Sequence, residues 1–289
     1  MTDLSIIIVN YNTGKLLSDC LASIFRFTHK VSFEVIVIDN GSTDDTLRQL
    51  KPFRKRLKLI RNKTNLGFAK ANNQGIRLAQ SAHLLLLNSD TKITDDAIGT
   101  LYEQAVSRQS AIAGPRLLNA DGSPQSSTAP FYSLPVTAFS LFGGDRFLRR
   151  SPARQAKVDW LSGACFLIDR RLIDKIGLLD ENFFMYIEEM EFCYRAKKAG
   201  FATWYFPEAA VLHLVRGSSP EGKQKIILWI YQGLLYFYQK HFAAPRLIML
   251  KSLLRAKAAL AWFFGYLAGN DYLIKTYGKA FWLVGQTRR

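Results

Sequence analysis

Apolar residues along the chain gather in short unbroken runs that end abruptly in polar residues. SIIIVNYN (residues 5–12) breaks into Asn10, Tyr11 and Asn12. EVIVIDNGSTDDT (34–46) breaks into Asp39, Asn40 and Gly41, and LLLLNSD (84–90) into Asn88, Ser89 and Asp90. Runs of this length without alternation describe strands buried on both faces. A stretch with helical spacing follows each run. The pattern therefore predicts an α/β fold with a mostly parallel central sheet flanked by helices, its polar strand ends converging on one edge. In open α/β sheets that edge binds ligands.

The same reading places strands at 4–9, 33–38, 57–61 and 83–87, with helices at 15–27, 43–50 and 68–81. The second helix should start at Ser42, which stands three residues before Asp45 as in a capping box with Asp in place of Glu. Next come a helix at 95–108 and a short strand at 111–114. Residues 119–135, rich in Asn, Asp, Gly, Ser and Pro, predict a long loop. Residues 146–157 predict a basic, irregular, mobile connection. WLSGACFLI (160–168) predicts one strand. Helices follow at 171–176 and 188–199, the latter closed by Gly200, then short strands at 203–206 and 211–213. Beyond Gly222 the pattern is helical. The expected division is residues 1–219 as an α/β domain and 220–289 as a helical C-terminal region.

Three segments carry residues suited to chemistry. Asn88 and Asp90, two oxygen-bearing side chains at i and i+2 on a strand end, suit a hard divalent cation held also by substrate phosphates; the alternative is an Asx turn. Glu188, Glu189 and Glu191 crowd the first turn of a helix, where the helix dipole favours acids. The neighbouring Phe183, Phe184, Met185, Tyr186, Met190 and Phe192 form an apolar collar that would raise a carboxyl toward the range of a general base. His213 ends a short strand, with Arg216, Gly217, Ser218 and Ser219 after it. It is either a metal ligand partnered with Asp90 or an ordinary histidine, while Arg216 could hold phosphate. In NLGFAKANNQGI (65–76), Lys70 could contact a base or a diphosphate, or the segment could simply cap its helix.

Composition narrows the partners. The chain has 289 residues, 48% hydrophobic, which excludes disorder. Cys20, Cys165 and Cys193 form no CxxC pair and read as reduced core residues of a cytosolic protein. MTDLSIIIV lacks a basic n-region, so no signal peptide is expected, and no apolar stretch is long enough to span a membrane. The net charge of +16 is uneven: from His213 onward, twelve Lys/Arg face only Glu221 and Asp271. Those cations flank IILWIYQGLLYFY and AALAWFFGYLA, which suggests interfacial helices on an anionic membrane, or else a packing arm or dimer contact. No nucleic-acid-binding motif accompanies the charge.

Taken in order, SIIIVNYN, VIVIDNGSTDDT, NLGFAKANNQGI, LLLLNSD, WLSGACFLI, FFMYIEEMEFCYRAKKAG and VLHL resemble the blocks of family 2 glycosyltransferases of the GT-A fold. They are similar in particular to bacterial rhamnosyltransferases of surface-polysaccharide synthesis, and cover roughly residues 4–219. The resemblance implies a nucleoside-diphospho-sugar donor (dTDP- or UDP-linked, dTDP-rhamnose first) and an inverting transfer. The acceptor would be a saccharide or a lipid-linked saccharide at the inner face of the plasma membrane. By the same resemblance Asp39 would bond the base, with Asn10, Tyr11 and Asn65 around the nucleotide. Asp90, last acid of a DxD motif here written Asn88-Ser89-Asp90, and His213 would hold Mg²⁺ or Mn²⁺. Glu189, in an "ED" motif here written Glu188-Glu189, would be the base, with Glu188 and Glu191 as alternatives. Trp160 and Gly163 would shape the sugar pocket. Two other classes remain. A nucleotidyltransferase should carry a Gly-rich basic loop after its first strand, where this chain has NYNTGK, and a non-catalytic nucleotide-binding or membrane scaffold would have no use for Asp90 and Glu189.

Overall fold

The computed structural model describes residues 2–214 and 222–286. The chain divides into two compact units. The first comprises Met1–Pro130, Arg149–Phe184 and Glu189–Pro220, and the second Phe131–Leu148, Met185–Glu188 and Glu221–Arg289.

The chain begins with β1 (Leu4–Asn10), α1 (Gly14–Phe27), β2 (Phe33–Asp39), the single turn α2 (Thr46–Gln49), β3 (Lys58–Arg61), α3 (Phe68–Leu78) and β4 (His83–Asn88). Next come β5 (Thr91–Lys92), α4 (Ala97–Ser107), β6 (Ile112–Leu118), β7 (Pro124–Gln125) and β8 (Thr128–Ala129). Helices α5 (Leu134–Phe139) and α6 (Asp145–Leu148) belong to the second unit. The first unit resumes with β9 (Ala156–Val158), β10 (Trp160–Leu161), β11 (Cys165–Asp169), α7 (Arg170–Ile176), α8 (Glu188–Lys198, from Glu189 on) and β12 (Thr203–His213). Helices α9 (Gly222–His241), α10 (Ala244–Leu267) and α11 (Asp271–Gln286) complete the second.

Among the described residues, one mixed sheet of ten strands runs β3-β2-β1-β4-β11-β6-β12-β5, with β7 beside β6 and β9 beside β12. Strands β3, β2, β1 and β4 are parallel, as their unbroken apolar runs predict. β11 lies antiparallel to both β4 and β6, and β12 returns parallel to β6. Leu17, Leu21 and Ile24 of α1 and Ile98 and Leu101 of α4 join Ile6, Ile8, Leu85 and Leu87 in one buried cluster. Burial of each such side chain contributes roughly 1.5–3 kcal/mol. α3 lies so close to the sheet that a Cβ at Gly75 would sit 2.4 Å from Ile7 Cγ2. Only glycine permits that approach.

Four local expectations are corrected. The second helix begins at Thr46, not near Ser42: Ser42 Oγ is taken by Asn10 Nδ2 and the Asn12 amide, so it cannot cap. WLSGACFLI is two strands, broken at Ser162-Gly163-Ala164. The two short strands near residues 203–213 are one strand, whose pairing shifts between Phe206 and Ala210, around Pro207. Proline has no donor for a ladder, and the bulge absorbs it. The expected loops at 119–135 and 146–157 contain β7, β8, α6 and β9. The three cysteines are free and buried.

In the second unit, Tyr231, Leu235 and Tyr238 of α9, Leu247, Leu250 and Leu254 of α10 and Ala280 and Val284 of α11 are buried. The Tyr238 hydroxyl donates to the Tyr132 carbonyl at 2.8 Å, tying α9 to the segment before α5. No helix among the described residues is long and apolar enough to cross a membrane.

Candidate active site

The register of the parallel strands sets Asn10 opposite Asp39 and Val9 opposite Asn88, so the polar ends of β1, β2 and β4 share one edge. Asn10 supports this edge from behind. It is wholly buried, both its donors are used on Ser42 Oγ (3.1 Å) and Thr46 Oγ1 (3.0 Å), and its Oδ1 accepts from Thr13 Oγ1 at 2.6 Å. Tyr11 beside it is half-buried. Asp39 is 3% exposed and accepts the Ser42 amide at 3.3 Å.

Asn40, noted in the sequence only as a strand end, organises the loop ahead of α3. Its Nδ2 donates to Asn65 Oδ1 at 2.9 Å, and its Oδ1 accepts from Asn62 Nδ2 (3.0 Å) and the Leu66 amide (3.1 Å). Asn65 is thereby fixed beside the end of β2. A Cβ on Gly41, at φ +83°, would stand 2.7 Å from the Thr64 carbonyl carbon, so the close approach of these two loops requires glycine. Lys70 is exposed on the first turn of α3. The Glu181 carboxyl is held below its ordinary range by Asn73, with Arg77 and Lys70 adding to the effect.

A second corner is built by Asn88, Asp90 and His213. Asp90 is wholly buried, and its carbonyl accepts the Leu214 amide, which joins the end of β12 to the end of β4. His213 Nε2 lies 3.3 Å from Asp90 Oδ1 and 3.4 Å from Asn88 Nδ2. The other ring nitrogen, Nδ1, is 2.7 Å from Gln125 Oε1. Gln125 Nε2 has two acceptors of its own, Asn119 Oδ1 (3.0 Å) and the His213 carbonyl (3.3 Å), so its oxygen must face the ring. Nδ1 therefore carries a proton, and Nε2 is the ring nitrogen turned toward the Asp90 carboxylate. A carboxylate and an imidazole nitrogen brought this close are groups that could share a cation. The described residues hold no cluster of three or more His, Cys, Asp and Glu suited to a metal ion. An ion held here by one carboxylate and one imidazole would have to take its remaining ligands from a bound phosphate or water.

The third corner is the break in WLSGACFLI. The Asn88 amide donates to the Ala164 carbonyl at 2.9 Å. A Cβ on the adjacent Gly163 would lie 3.6 Å from the Phe68 ring and 3.8 Å from Glu189 Cβ. Burial pushes the Glu189 carboxyl above the ordinary range, while the charge of Arg149 and the Gly163 amide draw it back. Glu189 Oε2 is buried without a hydrogen-bond partner. Trp160, 5% exposed, forms a wall whose indole donates to the Pro130 carbonyl at 2.9 Å, with Arg149 stacked 5.7 Å from its ring. Tyr186 (φ +69°) and Ile187 (φ +73°) precede α8 in the left-handed region. For a β-branched residue this is a strained conformation, and nothing in the sequence announced it.

A family model described as "Glycosyl transferase family 2" matches residues 5–177, more than half of the chain. The chain belongs to glycosyl transferase family 2. The transferase is 33% identical over 205 residues to the low-salt glycan biosynthesis hexosyltransferase Agl10 of Haloferax volcanii, covering 68% of this chain and 62% of that protein. It is 31% identical over 238 residues to the N-acetylglucosaminyl-diphospho-decaprenol L-rhamnosyltransferase of Mycobacterium tuberculosis, covering 74% of this chain and 76% of that one. The structure of GalNAc-T7 with UDP, GalNAc and Mn²⁺ aligns over 82% of this chain and 50% of its own, with a TM-score of 0.60 and 18% identity. That likeness bears out the expected GT-A-type fold.

Of the three glutamates, Glu191 is the one engaged in a buried ion pair, with Arg195. Its side chain is fully buried, and Arg195 Nε lies 3.0 and 2.9 Å from its two oxygens. Arg195 in turn donates to the carbonyls of Ile176 (2.5 Å) and Leu178 (2.8 Å), so the pair anchors the turn after α7. Replacing Glu191 with Gln should cost about 3 kcal/mol, because it leaves the partly buried Arg195 guanidinium without its counter-charge. Calorimetric melting checks this, and melting unchanged from wild type would show that the pair does not anchor that turn. Glu188 is also buried, within the second unit. Arg216 lies outside the described residues. The structure also brings Gln125 to His213 and Asn40 to the loop ahead of α3, contacts that the strand-end pattern does not announce. For Gln125 no local pattern could have found it, since it reaches His213 from 88 positions away.

Proposed function

We propose that the transferase moves a sugar, with inversion, from a nucleoside-diphospho-sugar to a saccharide acceptor carried on lipid, in the assembly of a cell-surface glycan. The observation that carries this is His213, turned by Gln125 so that Nε2 faces Asp90 across 3.3 Å. The names of the Haloferax and Mycobacterium relatives support a hexose or rhamnose donor and a diphosphate-linked lipid acceptor. dTDP-rhamnose is the first donor to try and a UDP-sugar the second. The work would take place at the cytoplasmic face of a membrane, reached through the basic aromatic C-terminal region.

Asp39 would accept from the base of the nucleotide, with Tyr11 and Asn65 beside it. Asp90 and His213 would hold Mg²⁺ or Mn²⁺, which when bound supplies positive charge against the departing diphosphate. Glu189 takes the proton from the acceptor hydroxyl, and Gly163 and Trp160 hold the space in which that hydroxyl approaches the anomeric carbon. The hydroxyl attacks from the face opposite the leaving diphosphate, so one displacement inverts the centre and no nucleophilic side chain is needed. The nucleotidyltransferase reading is weakened by the loop after β1. There the Gly14 amide at the start of α1 donates to Asp44 Oδ2 at 2.9 Å, which puts a carboxylate where a triphosphate would need the helix end.

The direct test is transfer of labelled sugar from dTDP-rhamnose and UDP-sugars to polyprenyl-diphosphate saccharides. No transfer from any nucleotide sugar, with or without Mn²⁺, would reject the reading. Gln125→Leu offers a finer test. With its oxygen gone the His213 ring is free to take the wrong tautomer, and affinity for Mn²⁺ in the presence of nucleoside diphosphate should fall about 10–100-fold. Calorimetric titration reads this directly. Metal affinity equal to wild type would mean that Gln125 does not set the His213 ring for a metal.

A further inference from the structure

We propose that the exposed face of α10 lies flat on an anionic lipid bilayer, its apolar side chains at the headgroup boundary and its flanking cations against lipid phosphates. This deepens the lipid-linked acceptor reading and rests on it only for its purpose. At 100° per residue, positions 245, 248, 249, 252, 256, 259, 260, 263 and 267 fall on one side of the helix. Every one of them is exposed and none is charged. The large side chains among them are Ile248 (52% exposed), Met249 (56%), Leu260 (47%), Phe263 (50%) and Leu267 (65%), with Phe264 (60%) at the margin. A soluble helix turns its polar face outward, and α10 turns out an uncharged one along its whole length.

The borders of this face supply the argument for lipid. Lys251 and Arg255 run along one margin, Arg246 and Lys257 along the other, and α10 contains no Asp or Glu. The cations rest on rings of their own unit: Arg255 lies 5.7 Å from Phe281, Lys257 5.8 Å from Phe142 and Arg246 5.2 Å from Phe242. Two cationic rims around an apolar strip complement an anionic bilayer surface. A second copy of the chain on this face would instead press like rims together under two-fold symmetry. The backbone is also fit for lipid at the end of the helix. The amides of Ala268, Gly269 and Asn270 donate to Phe264 (3.0 Å), Tyr266 (3.3 Å) and Gly265 (2.7 Å), and Asn270 Oδ1 caps the Leu273 amide at 3.2 Å. Ser252, the hydroxyl on the face, bonds the Ile248 carbonyl at 3.2 Å. Polar groups that are already paired can leave water without penalty. No described helix can cross a membrane, so the contact is one of lying on the surface.

The test is flotation of the full chain with vesicles of phosphatidylcholine, with and without phosphatidylglycerol, at low and high salt. Wild type should float with the anionic vesicles at low salt and be released by high salt. The paired change Leu260→Glu with Phe263→Glu should weaken binding about tenfold or more. Lys251→Gln with Arg255→Gln should do likewise at roughly fivefold per cation, and this pair decides the matter if the first does not fold. Wild type that ignores anionic vesicles, or binding indifferent to both pairs, would overturn the proposal. So would a dimer that the first pair converts to monomer, which would make the face a contact between copies. Binding of dTDP and UDP with Mn²⁺ is followed in the same variants. Its retention beside lost flotation leaves the catalytic reading standing, whereas its absence in wild type would reject that reading and leave the membrane contact intact.

Discussion

Asp90→Ala should lower the rate of sugar transfer on the order of a thousandfold, and should abolish the dependence of nucleoside diphosphate binding on Mn²⁺ or Mg²⁺. The Asp90 carboxylate is wholly buried and faces His213 Nε2 at 3.3 Å. It is the carboxylate of the pair that would hold the ion, and loss of one preorganised electrostatic partner typically costs 10²–10³ in rate. The variant should remain folded, because the carbonyl that accepts the Leu214 amide belongs to the backbone. Titration of dTDP and UDP with and without metal, on wild type and variant, separates the outcomes. Binding that responds to metal in wild type and not in the variant supports the assignment. Binding indifferent to both metal and Asp90 would mean that this corner is only a strand end closed by a histidine.

Glu189→Gln should reduce kcat by about 10²–10⁴-fold while nucleotide binding stays as in wild type. A base works only when ionised, and burial raises this carboxyl above its ordinary range. Wild-type kcat should therefore rise with pH through that raised value, and the small residual rate of the variant should lose this limb. The stability effect runs in the opposite direction. A carboxyl whose pKa is raised by folding prefers its protonated form in the native state. Its favourable contribution is complete below the unfolded value, near 4.3, and is lost as pH climbs through the folded one. Glutamine cannot ionise, so the variant should melt at or above wild type at pH 8, with the gap closing toward pH 5. A variant that melts well below wild type at pH 8 would show a structural carboxylate and remove Glu189 as the base.

Most of the parallel half of the fold was legible because its signal is local. Ile6–Ile8, Val35–Ile38 and Leu84–Leu87 are apolar without alternation, and only a strand covered on both faces has that pattern. The strand ends gave Asp39, Asn88 and Asp90 for the same reason, since a polar residue after such a run must sit where the strand leaves the core. The errors fall where a residue had two available uses. Ser42 reads as a helix cap, but a buried amide on β1 claims its hydroxyl first. WLSGACFLI reads as one strand, but its small central residues let the chain break and bring Gly163 against Glu189.

Composition and pattern by themselves determined the α/β class, the edge of the sheet on which the polar strand ends gather and the strongly basic, aromatic character of the C-terminal helices. Each of these depends on the order of residue types within a few turns of chain. The pairing of Glu191 with Arg195 is an i,i+4 spacing within α8, but only the tertiary structure buried that pair and tied Arg195 to the carbonyls of Ile176 and Leu178, which sets Glu191 apart from its two neighbours. The tertiary structure alone decided that Gln125 holds a proton on Nδ1 of His213, through a hydrogen bond between distant segments. It also decided that α10 turns an uncharged face outward, because which side of a helix is covered depends on what packs against the other.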